Sequence, residues 1–216
     1  MKKLLALILV SLMIFALASC GNTENNETTD TSSTESTSGN ETTGETTGSE
    51  ETTGKPEEPE TPDITSALDL LNKIWASYEE DEIFSIIGGD EMTIGAPGAV
   101  DPSNTEIMNS KYCVSADSAA LTDGAASIIH MMNTNIFTCG AYHLKNSADV
   151  ETFASGVKDS ILGTQWICGF PEKVMVISID DYVIAAFGTE DMLEIFKTKT
   201  LTLFDSAEVL YDEPIA

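Results

Sequence analysis

Residues 21–62 carry almost no apolar side chain. They are built from Thr, Ser, Glu, Asn and Gly, with the repeat Glu41-Thr42-Thr43-Gly44, Glu45-Thr46-Thr47-Gly48 and Glu51-Thr52-Thr53-Gly54, and with prolines at 56, 59 and 62. A tract of this kind cannot bury enough surface to offset the entropy of ordering it. It is expected to be a disordered tether, either a plain spacer or a Thr/Ser-rich stalk carrying sugars. A flexible chain of this length has a root-mean-square reach of roughly 36 Å. The tract confines any core to residues 63–216, about 150 residues and enough for one ordinary domain.

Before the tract stands Met1-Lys2-Lys3, then an apolar run from Leu4 to Ala18 broken only by Ser11, then Ser19-Cys20. A basic head, an apolar middle and small residues at the end make a secretory leader. The run is shorter than the roughly 20 apolar residues that a spanning helix needs. Leu17-Ala18-Ser19-Cys20 resembles a bacterial lipobox, which implies a diacylglycerol on the Cys20 thiol and cleavage just before it. Residues 1–19 are then the signal peptide and residues 20–62 a lipid-anchored linker. Two acyl chains hold a protein stably on a bilayer where one does not. The expected location is the outer face of the cell membrane.

The net charge is −26, and the chain has no Arg. Residues 63–216 hold 25 acids against seven Lys. A domain this acidic is repelled by phosphate backbones, so nucleic acid is not an expected partner. The acidity suits solubility, a cationic partner or weak cation binding.

Hydrophobic spacing predicts a helix over 63–80, with Ile64, Ala67, Leu68, Leu71, Ile74, Trp75 and Tyr78 on one face and Asp63 or Thr65 as its cap. A short second helix is expected to carry Ile83 to Ile87 and stop at Gly88-Gly89. Residues 88–110 read as loop, from Gly95, Pro97, Gly98 and Asp101-Pro102, followed by a short apolar segment at 112–114. Residues 119–132 read as a helix with Ala125, Ile128, Ile129 and Met132 on its stripe, interrupted by Gly124. Alternation over 135–144 predicts a strand with Phe137, Cys139, Ala141 and His143 on one face. A helix capped by Ser147 and ended by Gly163 follows, then a strand region entered at Trp166. Residues 173–179 and 182–187 form a hairpin turning at Asp180-Asp181. A helix starting at Gly188-Thr189 and a last strand over 207–211 complete the chain. The fold class is α+β: one domain, a mixed or antiparallel sheet with helices on one side, compatible with a ferredoxin-like βαββα(β) core preceded by helices.

His130-Met131-Met132-Asn133, the segment Gln165-Trp166-Ile167-Cys168-Gly169-Phe170-Pro171, and the hairpin ending Ala186-Phe187-Gly188 follow the lipobox and tether. In these residues the chain resembles small uncharacterised lipoproteins of anaerobic Gram-positive bacteria, grouped as a domain of unknown function. The resemblance covers residues 63–212. It implies an exported, anchored protein and transfers no activity and no site residue.

Candidate chemistry centres on few residues. His130 and His143 are the only histidines, and Met131 and Met132 adjoin the first. Imidazole with thioether suits copper or haem iron, although no Cys-x-x-Cys-His attachment motif is present. Cys139 and Cys168 fall in neighbouring expected strands and would bridge if their Cα atoms came within disulfide range. Cys139 with His143 is the one thiol–base pair in reach of a catalytic reading. Buried free thiols are the plainer account of the cysteines. The acidic pair Asp180-Asp181 and the run Glu79 to Glu82 lack the alternation of a calcium loop. Trp166, beside a Gly/Pro bend, either packs in the core or lines a binding surface. No Ser elbow, P-loop, HExxH or GxGxxG pattern is present.

These features lean away from an enzyme and call for no cofactor. The first expectation is a non-enzymatic binding or envelope-accessory domain, anchored through its diacylglycerol and meeting an envelope protein or a small ligand. The second is a metal- or haem-binding module using His130 and His143. The third is a thiol-redox protein using Cys139 and Cys168. Cys20→Ala tests the anchor: in a lipidating bacterial host fed an alkyne fatty acid, the wild-type chain should take the label and partition with membranes. The variant should remain uncut and unlabelled.

Overall fold

A computed structural model describes residues 62–132, 136–167 and 169–215. The leader, Cys20 and all of the tether except Pro62 lie outside the described residues, as does Cys168. The first helix, α1 (Ala67–Ala76), starts where Ser66 accepts a hydrogen bond from the Asp69 amide at 3.1 Å. Asp69 in turn accepts from the Thr65 amide at 2.9 Å, which ties the residue before the cap to the first turn. The cap is therefore Ser66 rather than Asp63 or Thr65, and the helix is shorter at both ends than its apolar periodicity. Ala67, Leu70, Leu71 and Ile74 are its buried stripe.

No second helix follows. Residues 86–100 form three short strands, β1 (Ile86–Gly88), β2 (Thr93–Ile94) and β3 (Gly98–Val100). The glycines expected to stop a helix serve a different purpose. A Cβ on Gly88 would lie 2.2 Å from the Gly98 amide nitrogen, and one on Gly98 would lie 2.2 Å from the Gly88 carbonyl oxygen. Backbone meets backbone there, and only hydrogen fits between. The expected loop also contains α2 (Thr105–Tyr112), capped by Asn104 and ended by Cys113 in the left-handed conformation (φ +57°). A four-residue helix, α3 (Ala116–Ala119), follows.

The expected helix over 119–132 is instead a strand, β4 (Thr122–His130). It runs through the sheet with both faces covered, so its burial does not alternate, and a short apolar run of that kind reads equally well as a helix. Next come β5 (Phe137–Leu144), a 3-10 turn over Ser147–Asp149 in which Asn146, rather than Ser147, is the cap and accepts from the Ala148 amide, and α4 (Val150–Leu162). No strand forms among the described residues between α4 and β6 (Lys173–Ile179). Then β7 (Tyr182–Gly188), α5 (Glu190–Leu203) and β8 (Ala207–Pro214) close the fold. The hairpin turns at Asp180-Asp181 as expected, with Asp180 at φ +53°.

All eight strands pair antiparallel in one sheet, in the order β2-β1-β4-β5-β7-β6-β8, with β3 also on β4. The fold class, α+β with an antiparallel sheet, is as the sequence indicates. The helices differ from expectation in covering both faces. One core lies between the sheet and α1 with α5, the other between the sheet and α2, α3 and α4. Strand order explains this. In a ferredoxin-like core the last strand returns beside the first, whereas here β4 already occupies that edge of β5, and β8 goes outside β6. The crossovers β5-α4-β6 and β7-α5-β8 then step in the same direction from antiparallel starting strands. Both can be right-handed only with their helices on opposite faces.

Lys173 and Lys197 fasten α5 to the edge. Lys173 Nζ lies 2.7 Å from Asp212 and 2.8 Å from Glu194, and Lys197 Nζ lies 2.6 Å from Glu194 and 2.8 Å from Asp212. On β8 the pairing jumps between Val176 and Ile177, leaving Leu210 as a bulge. Gly98→Ala should destabilise the domain by about 2 kcal/mol or more through this overpacking, read as a fall in the urea midpoint. Gly124→Ala, whose Cβ would meet only His143 Cβ at 3.5 Å, should stay close to wild type.

Candidate functional site

The histidines are set far apart. His143 pairs with Gly124 near one end of β5, and Ile129, next to His130, pairs with Thr138 near the other. Six residues of strand separate the two positions, about 20 Å at roughly 3.4 Å each. They cannot share a metal, whose ligand bonds are about 2 Å long. Among the described residues no group of three or more His, Cys, Asp or Glu side chains is placed to hold one.

His143 is held by two carboxylates. The bulge in β4 makes Asp123 an extra residue, and its carboxylate meets His143 Nδ1. Asp181, from the β6–β7 turn, lies 3.2 Å from Nε2. The Tyr182 ring packs beside the imidazole at 4.8 Å. The hydrogen bond to Asp123 is the main cause that raises the His143 pKa above its ordinary value; partial burial opposes it, and the charges of Asp123 and Asp181 add to it. A carboxylate at each ring nitrogen favours the doubly protonated imidazolium, the one form that can donate to both. The arrangement clips β4, β5 and the β6–β7 turn together, and it engages both of the nitrogens a ligand or substrate would need.

Cys139 does not fit a redox or nucleophilic role. It has no disulfide partner among the described residues, is fully buried against α1 and α5, and desolvation pushes its pKa far up, away from the thiolate. His143 is four residues along the same strand, about 13 Å away, and its nitrogens are occupied. The pairing of Cys139 with Cys168 falls outside the described residues. Cys113 is a second buried thiol, and burial raises it as well.

His130 belongs to a different place. It is buried, with its ring stacked on Phe84 at 5.1 Å and 11°. Its Nδ1 accepts the Met132 amide hydrogen at 2.9 Å, which places the ring proton on Nε2. Its side lines a cleft of about 200 Å³ at the open end of the sheet, with Lys111, Ile129, Thr138, Trp166 and Phe187. Trp166 packs on Phe187 at 5.0 Å and 47°, so of the two readings open for it, core and surface, it takes part in both. The exposed Met132 also lines it, and three more exposed apolar residues are sequence neighbours of its lining: Met131, Ile167 (80 % exposed) and Phe170 (72 %). Met132, expected on a buried helical stripe, is 58 % exposed because the stripe is a strand that ends at His130.

A hollow of about 480 Å³ between α5 and the segment after α1 is larger. Several of its polar groups are already engaged: Lys199 is 2.7 Å from Glu82, Ser77 donates to the Ile74 carbonyl and Thr202 to the Thr198 carbonyl. The cleft beside Trp166 is the better candidate. No family model matches the chain, and no curated protein or solved structure is found to be similar to it. Among the described residues no helix is long and apolar enough to cross a membrane.

The histidine clip gives a signed pH dependence. A raised folded pKa contributes stability that is fully present below the unfolded value near 6.5 and is lost as pH rises through the folded value. The urea midpoint should therefore fall between pH 6 and pH 9, and His143→Gln should remove that part of the slope.

Proposed function

We propose that this chain is a lipid-anchored, non-enzymatic binding module on the outer face of the membrane, held through Cys20 and the tether, and that it captures an apolar segment of an envelope polypeptide at the Trp166 cleft. The observation that carries the reading is the half-buried Trp166 lining a cleft together with the exposed Met132, with the exposed Met131, Ile167 and Phe170 each next in sequence to a lining residue. Large apolar side chains gathered around an aromatic mark an interaction surface rather than ordinary exposed hydrophobics. The volume, below the roughly 300–1,000 Å³ of small-molecule pockets, suits one anchoring side chain with the rest of the segment lying over the rim. Binding is favoured over catalysis by the lining itself. Its described side chains include no Cys, Ser, Asp or Glu, and its one imidazole has Nδ1 committed to a backbone amide.

Peptide display against the immobilised chain tests this. The wild type should enrich peptides with a large apolar residue. The double variant Ile167→Ser, Phe170→Ser, which alters only exposed positions, should reduce that enrichment by well over tenfold, since each apolar side chain buried contributes about 1.5–3 kcal/mol. Equal enrichment by the double variant would sink the proposal.

A further inference from the structure

Among the described residues, the polar side chains lining the Trp166 cleft are mostly donors. The indole Nε1–H of Trp166 is buried and has no hydrogen-bond partner among the described residues. Indole nitrogen donates only, and a buried donor left unmade is costly. His130, with Nδ1 accepting, has its one N–H at Nε2. Lys111 is a donor and a cation. The remaining polar side chain, the Thr138 hydroxyl, works either way.

Lys111 is also singular. The described domain has seven lysines. Lys73, Lys158, Lys173, Lys197 and Lys199 are paired with carboxylates, and Lys145 donates to the Ala120 carbonyl. Lys111, exposed at the end of α2, is the only one without an ion pair or hydrogen bond among the described residues. In a domain carrying 25 acids, the free cation lies at the one cleft described here whose lining lacks a carboxylate.

Resting on the reading of this cleft as a peptide-binding site, we infer that it recognises the free carboxyl terminus of a partner chain ending in an apolar residue. A carboxylate only accepts hydrogen bonds and carries the charge complementary to Lys111, so it answers a donor-rich lining in a way that neither an amide nor an amine does. The terminus is favoured over an internal Asp or Glu by geometry. In an extended chain successive side chains point to opposite faces, so an acidic neighbour points away when the apolar side chain points in. At a chain end, the carboxylate and the apolar side chain share one Cα and enter a small cleft together. Terminal-carboxylate capture is a known mode of peptide recognition.

The experiment uses the full chain in lipid nanodiscs, with empty nanodiscs as the blank, and reads fluorescence anisotropy of dye-labelled peptides. The probes are Gly-Ser-Gly-Ser-Gly-Phe as free acid, the same peptide as C-terminal amide, and Gly-Ser-Phe-Asp-Gly-Ser amide. The free acid should bind about tenfold or more tighter than the amide, the scale of one charge-assisted hydrogen bond, and tighter than the internal-Asp peptide. Lys111→Gln should bring the free acid and the amide to about the same affinity, removing the preference. Trp166→Phe should weaken acid binding more than amide binding. Equal binding of acid and amide overturns the carboxylate inference and leaves the peptide site standing. An internal-Asp peptide that binds as tightly as the free acid overturns the terminus. Binding of none of the three by a folded chain overturns both.

Discussion

Strands β5 and β7 lie side by side at the middle of the sheet, and neither has a face toward water. All of β7 is buried, and so is every residue of β5 except His143. A strand in that position must be apolar on both sides and must send every backbone hydrogen bond to a neighbour. The rest of the architecture answers those two demands. Strands β4 and β6 take the outward hydrogen bonds, and α1 with α5 on one face and α2, α3 and α4 on the other cover the side chains. With both faces roofed, polar chemistry is left only the rims. That is where the Asp123–His143–Asp181 clip and the Trp166 cleft are found, at opposite ends of β5.

Legibility in the sequence tracked locality. The hairpin from Lys173 to Gly188 could be read because two apolar runs flank an Asp-Asp turn two residues long. Helix α4 could be read from the spacing of Phe153, Ala154, Val157 and Ile161 and its stop at Gly163. The strand β4 could not. Ala125, Ile128 and Ile129 fit a helical stripe, and only the pairing with β5, set in three dimensions, makes the segment a strand. Helix α2 carries few apolar residues in a row and was hidden among turn formers. The strands β1, β2 and β3 are two or three residues long, too short for any periodicity to register. Gly88 and Gly98 look like punctuation in the sequence, and their purpose, letting two backbones touch, depends on a contact ten residues apart.

The candidate residues divided the same way. Rarity singled out the two histidines, but the strand register that holds them apart is not a property of either residue. Trp166 stood out beside its Gly/Pro bend. Asp123 acquired its partner through a bulge, and Lys111 acquired its significance through what surrounds every other lysine. A missing partner leaves no trace in composition, spacing or motif. It can be noticed only when all the alternatives have been placed.

The last strand carries a consequence of its own. Strand β8 ends the sheet, so one side of its backbone is unpaired, and such an edge is a template for joining another sheet. Its protection is a bulge at Leu210, a proline at 214 and the carboxylates of Glu208 and Glu213. The other edge, β2, is only two residues long and offers little to join. Guarding a long edge with charge makes colloidal behaviour a function of ionic strength. In dilute salt, copies crowded together repel along β8. In concentrated salt, that repulsion is screened while the backbone edge remains, and the same edge becomes a seam along which sheets can zip.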